Sequence, residues 1–281
     1  MIERFAFKRA LMRSTVAVAA SILGLGLAAG SASASLSAHG QLLHLAPPTR
    51  LNSNDSDNWF GYNIGSLADN DTLFHSITGN WTVPKATQHT KGQAEDSADW
   101  IGIGGGCVNA GCTVTDSTLI QTGTEQDVAS GGSASYDAWY ELVPAPEFEI
   151  SSMTIKPGDH MYASIGEVVS SSNLWKVEIQ DLTRHETYST TVPYSSTHLT
   201  AEWIEETPLE IGTDAGLAAL PNLTNPLWTD GSVNGAKVTL ATSEQMFLVN
   251  TKGATIGAPS QPNTAKSGFG ECTWASVCTA S

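Results

Sequence analysis

The sequence predicts an all-β protein, a β-sandwich or barrel of many short strands. Three observations carry that prediction. Apolar and polar residues alternate in short runs from about Asn58 to Trp274, which is the period of a strand. Turn signals punctuate the runs at Gly131-Gly132, Pro157-Gly158-Asp159, Asp230-Gly231 and Lys252-Gly253. The chain holds 26 Gly and 8 Trp, and long amphipathic helical patterns are few. With 281 residues and 41% hydrophobic content it suits one large domain or two small ones. No internal repeat or clear domain break is visible.

The first segment is a targeting signal. Arg4, Lys8, Arg9 and Arg13 precede a small apolar stretch, 15–30, and Ala32-Ser33-Ala34 is an A-x-A cleavage site. Residues 1–34 therefore read as a secretory signal peptide, and the mature chain as secreted. No later segment could span a bilayer, so no membrane partner is expected after signal removal. Loss of four basic residues and Glu3 takes the formal net charge from −15 to −18. Nothing basic is clustered, which argues against nucleic acid. A chain so poor in Lys and Arg gathers little positive self-repulsion in acid, which points to an acidic working medium.

Residues 35–50 read as an extended leader or a short pro-segment. His39, His44 and Arg50 make it cationic in acid, suited to masking an acidic cleft. A plain disordered terminus fits the same composition. The domain proper is expected over 51–281, as a monomer by default. Strand runs follow at 58–62, 75–83, 99–105, 119–123, 136–142, 153–155, 160–168, 175–181, 186–192, 199–205, 237–241, 245–250 and 269–274. Only 214–220 could hold a short helical turn. Four cysteines form two close pairs, Cys107/Cys112 and Cys272/Cys278. In a secreted chain this favours two local disulfides over the other two pairings. The spacings and the lack of nearby His argue against a metal there.

The stretch Leu199–Glu206 organises the reading. Side chains of a strand alternate between faces, so Leu199, Ala201 and Trp203 point one way and Thr200, Glu202, Ile204 and Glu206 the other. An exposed acidic face would produce the same pattern. The same rule applied to its neighbours gathers Trp100, Gln121, Asp137, Trp139, Glu141, Glu202 and Glu206 on one non-core face, if those strands share a sheet. Alternation divides Trp59, Trp100 and Trp139 between core and groove. Aromatic rings with carboxylates suit a sugar chain or an extended peptide. A carbohydrate-binding or glycoside-hydrolysing sandwich therefore remains the rival. There is no Gly-x-Ser-x-Gly and no His-Glu-x-x-His. The seven His are scattered and read as surface residues, so neither metal nor cofactor is expected.

Seven motifs in order carry a resemblance: Asn58-Trp59-Phe60-Gly61-Tyr62, Trp81-Thr82-Val83-Pro84, Trp100-Ile101-Gly102-Ile103-Gly104-Gly105, Leu119-Ile120-Gln121-Thr122-Gly123, Tyr136-Asp137-Ala138-Trp139-Tyr140-Glu141, Pro157-Gly158-Asp159 and Ala201-Glu202-Trp203-Ile204. In these the sequence resembles the glutamic peptidases, or eqolisins, secreted endopeptidases that act in acid. The resemblance runs from about Asn58 to the C-terminus and loosens after Pro208. It implies a β-sandwich of two antiparallel sheets (jelly-roll or lectin-like), protein or peptide substrates, no metal, and a catalytic pair. Gln121 and Glu202 occupy the positions of that pair. The Glu would act as general base on water and the Gln would stabilise the tetrahedral intermediate. Trp59, Trp100, Asp137, Glu141 and Glu206 are expected to contact substrate or to support the pair. Better-known members carry Asp where this chain has Gly104.

Overall fold

The structure is a computed structural model and describes residues 41–44, 54–211 and 216–279. The signal segment, its cleavage site, His39, Arg50, Asp214 and most of the 35–50 leader lie outside the described residues. All described residues belong to one compact unit, 34–281.

Two antiparallel sheets make the body. One runs in the order Gln245–Val249, Trp59–Gly65, Thr200–Glu206, Glu95–Gly104, Leu119–Val128, Ala134–Val143, Phe148–Glu149. The other runs Glu186–Pro193, Leu174–Asp181, His160–Glu167, Ser76–Thr82, Leu227–Val233. Thr255–Pro259 and Phe269–Thr273 join them into one continuous ladder at one side. This is a β-sandwich.

Alternation explains the core between the sheets. Ile101, Ile103, Ile120, Ala138, Ala201 and Trp203 of the first sheet meet Ile77, Trp81, Met161, Ala163, Trp175 and Val177 of the second. Trp203 shows how tight the contact is. A Cβ on Gly79 would lie 2.8 Å from its ring, and its Nε1–H donates to the Thr78 carbonyl at 2.9 Å. The outer strand Glu186–Pro193 has one exposed face, so its residues alternate half-buried and exposed.

Three expectations about elements are corrected. Residues 153–155 are not a strand; they lie in a turn and loop. Met153 and Ile155 are nonetheless buried, so their spacing reflects core plugging just ahead of Pro157. Of 237–241, only Ala236–Lys237 pairs as strand. Val238 and Leu240 do alternate inward, but their N–H groups bond singly, to the carbonyls of Gly231 and of Lys266, without a continuing ladder. The described part of 214–220 contains a short strand, Gly216–Leu217, and no helical turn. Cys107–Cys112 and Cys272–Cys278 are both disulfide-bonded.

Candidate active site

The register places Gln121 and Glu202 on one face. Glu202 pairs with Gly102, and Gly102 pairs with Gln121. The two side chains therefore flank Gly102 from adjacent strands, with their Cα atoms about 10 Å apart at the usual ladder spacing. Glycine between them is required by close packing: a Cβ on Gly102 would lie 2.8 Å from the Trp100 ring and 2.9 Å from Leu119 Cδ1. The same registers bring Trp100, Asp137, Trp139, Glu141 and Glu206 onto this face. Trp59 pairs with Glu206 and joins them. Trp59, Trp100 and Trp139 are thus not divided between core and groove. All three pack in one cluster with Ile204, Leu119 and Met246 on the groove side, because each is level with a groove-facing partner.

Gln121 is held by its cross-strand neighbour. Its Nε2 donates to Glu141 Oε2 at 2.7 Å, which fixes the amide with nitrogen toward the cleft. Glu206 is held from two sides, by Trp100 Nε1 at 2.8 Å and Asn58 Nδ2 at 2.9 Å. Glu202 is different. Neither of its carboxylate oxygens has a well-formed hydrogen bond among the described residues, although the Thr200 hydroxyl is near enough to favour the ionised form. A loop crosses directly over it, since a Cβ on Gly106 would lie 2.6 Å from Glu202 Oε1. Asn63 clamps that loop by bracketing the Cys107 backbone, with Nδ2 to O at 2.9 Å and N to Oδ1 at 2.6 Å.

The cleft is occupied by the chain's own leader. Gln41–Leu43 adds as a strand to Leu209–Ile211, and His44 follows into the cleft, fully buried. Its ring lies flat on Trp139, with centroids 3.9 Å apart and planes 1° from parallel. Nδ1 faces Glu206 Oε2 at 3.0 Å, and Nε2 faces Glu147 at 3.4 Å and Glu125 at 3.6 Å. Its backbone is bracketed too. The N–H donates to Glu141 Oε2 at 3.2 Å, and the carbonyl accepts from Gln121 Nε2 at 3.2 Å. The reading of every His as a surface residue is wrong for His44. Only the acid-masking argument of the leader pointed to it, because nothing in its local pattern distinguishes it.

Burial dominates the electrostatics. It pushes Glu202 well above the usual carboxylate range; the Thr200 hydroxyl opposes this and the Asp116 charge adds to it. Burial takes Glu141 up to about 8, against His44 and Gln121. Asp137 rises to about 8 by burial, with Glu147 and Glu149 adding. Burial alone would lower His44, but Glu206, Glu125 and Glu147 outweigh it and hold the imidazole well above its ordinary value. Asp116 was not foreseen from the sequence. It sits in the loop that follows Gly104, with Oδ1 accepting from the Thr118 N–H at 3.0 Å. Two His-containing groups have metal-like spacing, His75/Glu167/His198 and His44/Glu125/Glu147. In the first, His75 bonds Glu167 directly at 2.7 Å, and the Ser171 and Asn173 N–H groups fill the same carboxylate. That is an ion pair with backbone support.

Comparison with known proteins identifies the lineage. A model of the Peptidase A4 family matches residues 57–267, a span that includes Gln121, Glu202 and the whole groove face. The chain belongs to the peptidase A4 family. One curated relative in that family's line is aspergillopepsin-2 from Aspergillus niger, 27% identical over 172 residues, 54% of this chain and 56% of that protein. The chain thus spans about half the length of the curated relative it matches. Among solved structures, scytalido-glutamic peptidase with a transition state analog inhibitor superposes with TM-score 0.60 at 20% identity, over 77% of this chain and 98% of that one. SCP-B, an eqolisin in complex with the tripeptide Ala-Ile-His, gives 0.53 at 20% over the same shares. Aspergilloglutamic peptidase from Aspergillus niger gives 0.51 at 22%, over 64% and 99%. At these identities the structures speak for the fold, the two-sheet sandwich, which this A4 chain shares.

Proposed function

We propose that this chain is a secreted endopeptidase that works in acid and hydrolyses peptide bonds with Gln121 and Glu202. One observation carries the reading: the Gln121 amide already holds a peptide carbonyl, that of His44, on the sheet face that also carries Glu202. Family membership supports it, and a peptide as ligand fits the tripeptide bound by the relative SCP-B.

The chemistry follows from the two groups. Ionised Glu202 takes a proton from water, and the water oxygen adds to the carbonyl carbon. The Gln121 Nε2–H donates to the oxyanion that forms. One such donor supplies on the order of 3 kcal/mol of transition-state stabilisation. Glu202 then returns the proton to the leaving nitrogen as the C–N bond breaks, giving an acid and an amine. Glu141 positions the amide throughout. In the closed form Glu202 is fully buried and held neutral, so it is a poor base. The leader therefore acts as a pro-segment: it occupies the Gln121 amide and lies on Trp139, where a substrate would have to bind. What covers Glu202 is the loop through Gly106, so the base ionises when that loop admits water.

The test is cleavage of a denatured protein at about pH 3 and pH 7 by the matured wild type, Glu202→Gln and Gln121→Ala. Wild type is expected to cut in acid and be slow near neutrality. Gln121→Ala should lose about 10²–10³ in kcat, and Glu202→Gln at least as much. Both should keep the native fold by circular dichroism. A folded Glu202→Gln that still cuts would overturn the reading.

A further inference from the structure

The way His44 lies in the cleft defines a subsite beyond the catalytic pair. The residue whose carbonyl rests on the Gln121 amide is the one on the acyl side of the bond to be broken. In the occupied cleft that residue is His44, and its N–H is held by Glu141 on the opposite side. The backbone is thus fixed at both ends of one residue, and the side chain has a single place to go. That place is a slot with an indole floor and acid walls. The floor is Trp139. Glu206 meets one ring nitrogen, and Glu125 and Glu147 meet the other. Upstream, Gln41–Leu43 is paired in register with Leu209–Ile211, the geometry of an added strand.

From this geometry we infer that the enzyme prefers substrates with a protonated histidine on the acyl side of the scissile bond, read by Trp139, Glu125, Glu147 and Glu206. The inference rests on the peptidase reading above. A flat cation suits the slot for two reasons. It stacks on an indole face, the best aromatic partner for a cation. It also offers two N–H donors, one on each edge of the ring, and acceptors stand at both edges. A neutral aliphatic side chain would take one of its three donors from Glu206 and leave Glu125 and Glu147 facing no cation. An aromatic hydrocarbon would keep the stacking and lose both edge contacts. The titratable groups facing the ring are Glu206, Glu125, Asp127, Asp137, Glu141 and Glu147, from the Glu202, Gln121 and Glu141 strands and the turn after them. Among the described residues the ion pairs of Glu125, Glu147 and Glu206 are made by His44 and by no Lys or Arg. The ligand supplies that charge.

The experiment uses matured enzyme at about pH 4 and four peptides alike except at the acyl-side residue: His, Leu, Phe and Ala. The expected result is a kcat/KM for the His peptide at least about tenfold above the other three, the scale of losing a charge-assisted hydrogen bond. Glu147→Gln is the second arm. Glu147 is the most accessible of the acid walls, so its replacement leaves the fold least disturbed. It should cut the ratio of His to Leu peptide by about tenfold, mainly through KM. Equal cleavage of the His and Leu peptides by wild type overturns the inference while leaving the catalytic pair standing. An unchanged ratio in Glu147→Gln overturns the assignment of the slot. If wild type cleaves neither the peptides nor denatured protein, the peptidase reading fails and takes this one with it.

Discussion

Gly104 shows how one residue can set the local chemistry. It stands where better-known family members carry Asp, and its φ of +98° is a conformation that L side chains rarely adopt. A Cβ there would lie 1.9 Å from the Thr118 carbonyl oxygen. Gly104→Asp is therefore expected to destabilise the fold by roughly 3 kcal/mol, from strain and backbone displacement, measured by denaturant unfolding. The loop beyond Gly104 brings another acid near, Asp116, whose charge adds to the burial that raises Glu202. Asp116→Asn removes that charge, so Glu202 ionises at lower pH. The acid limb of the pH profile of kcat/KM should move to lower pH; a shift upward, or none, would show that Asp116 does not act on the base. Neither role was legible in the sequence. The conformation of Gly104 and the proximity of Asp116 both depend on how the 105–118 loop folds back, and that path is set by Asn63, far away in the chain. By contrast, the sorting of Gln121, Glu202, Glu206 and Glu141 onto one face followed from the two-residue period of a strand once those strands were taken to share a sheet, as their registers show.

At the scale of elements, the strand Thr200–Glu206 carries two different acid environments. Glu202 and Glu206 face the groove. Glu205, on the opposite face beside Trp203, is buried with Asp99 and Glu271 between the sheets. Alternation puts Glu205 on the core side, but nothing local says that two more carboxyls wait there, because Glu271 arrives from the joining strand Phe269–Thr273. Strand order was likewise out of reach, since ladder partners are chosen by long-range packing. The leader is another such element: its basic composition suggested that it masks an acidic cleft, but the strand pairing and the seat of His44 come only from the folded chain. Its short strand docks on Leu209–Ile211, and the buried His44 ring fills the slot on Trp139. A synthetic peptide of residues 38–44, ending in the carboxyl group of His44, should inhibit the matured enzyme competitively in acid. The same peptide ending in Ala should bind about tenfold more weakly. Inhibition constants from steady-state cleavage decide this; equal constants would mean that the strand docks the leader and the ring does not.

For the whole molecule, the decisive fact is how many carboxyls are buried. Burial takes Asp96 and Asp99 up to about 7, and Asp137 and Glu141 up to about 8. It pushes Glu125, Asp127, Glu205 and Glu271 upward as well. The sign is the reverse of the common case for an acid. In the unfolded chain these groups lose their protons near pH 4, while the folded chain keeps Asp96, Asp99, Asp137 and Glu141 protonated to about 7 or 8 and holds the other four above the ordinary carboxylate range. Between those limits the folded state binds more protons than the unfolded one. Stability is therefore complete below about pH 4 and falls as pH rises, by up to about 1.4 kcal/mol per pH unit for each such group. A few groups acting together rival the roughly 5–15 kcal/mol that holds a domain folded. The acidic composition thus becomes a working range: the net charge of −15 is only nominal in acid, because much of it is protonated and inside. Thermal unfolding should show a midpoint that is highest near pH 3–4 and drops steadily toward pH 7–8. Glu205→Gln, neutral at every pH, should flatten that slope by removing one ionisation from the Asp99/Glu205/Glu271 group. A midpoint that rises toward neutrality, or a slope untouched by Glu205→Gln, would show that these carboxyls are ionised and compensated in the fold, and that the preference for acid resides in the catalytic pair alone.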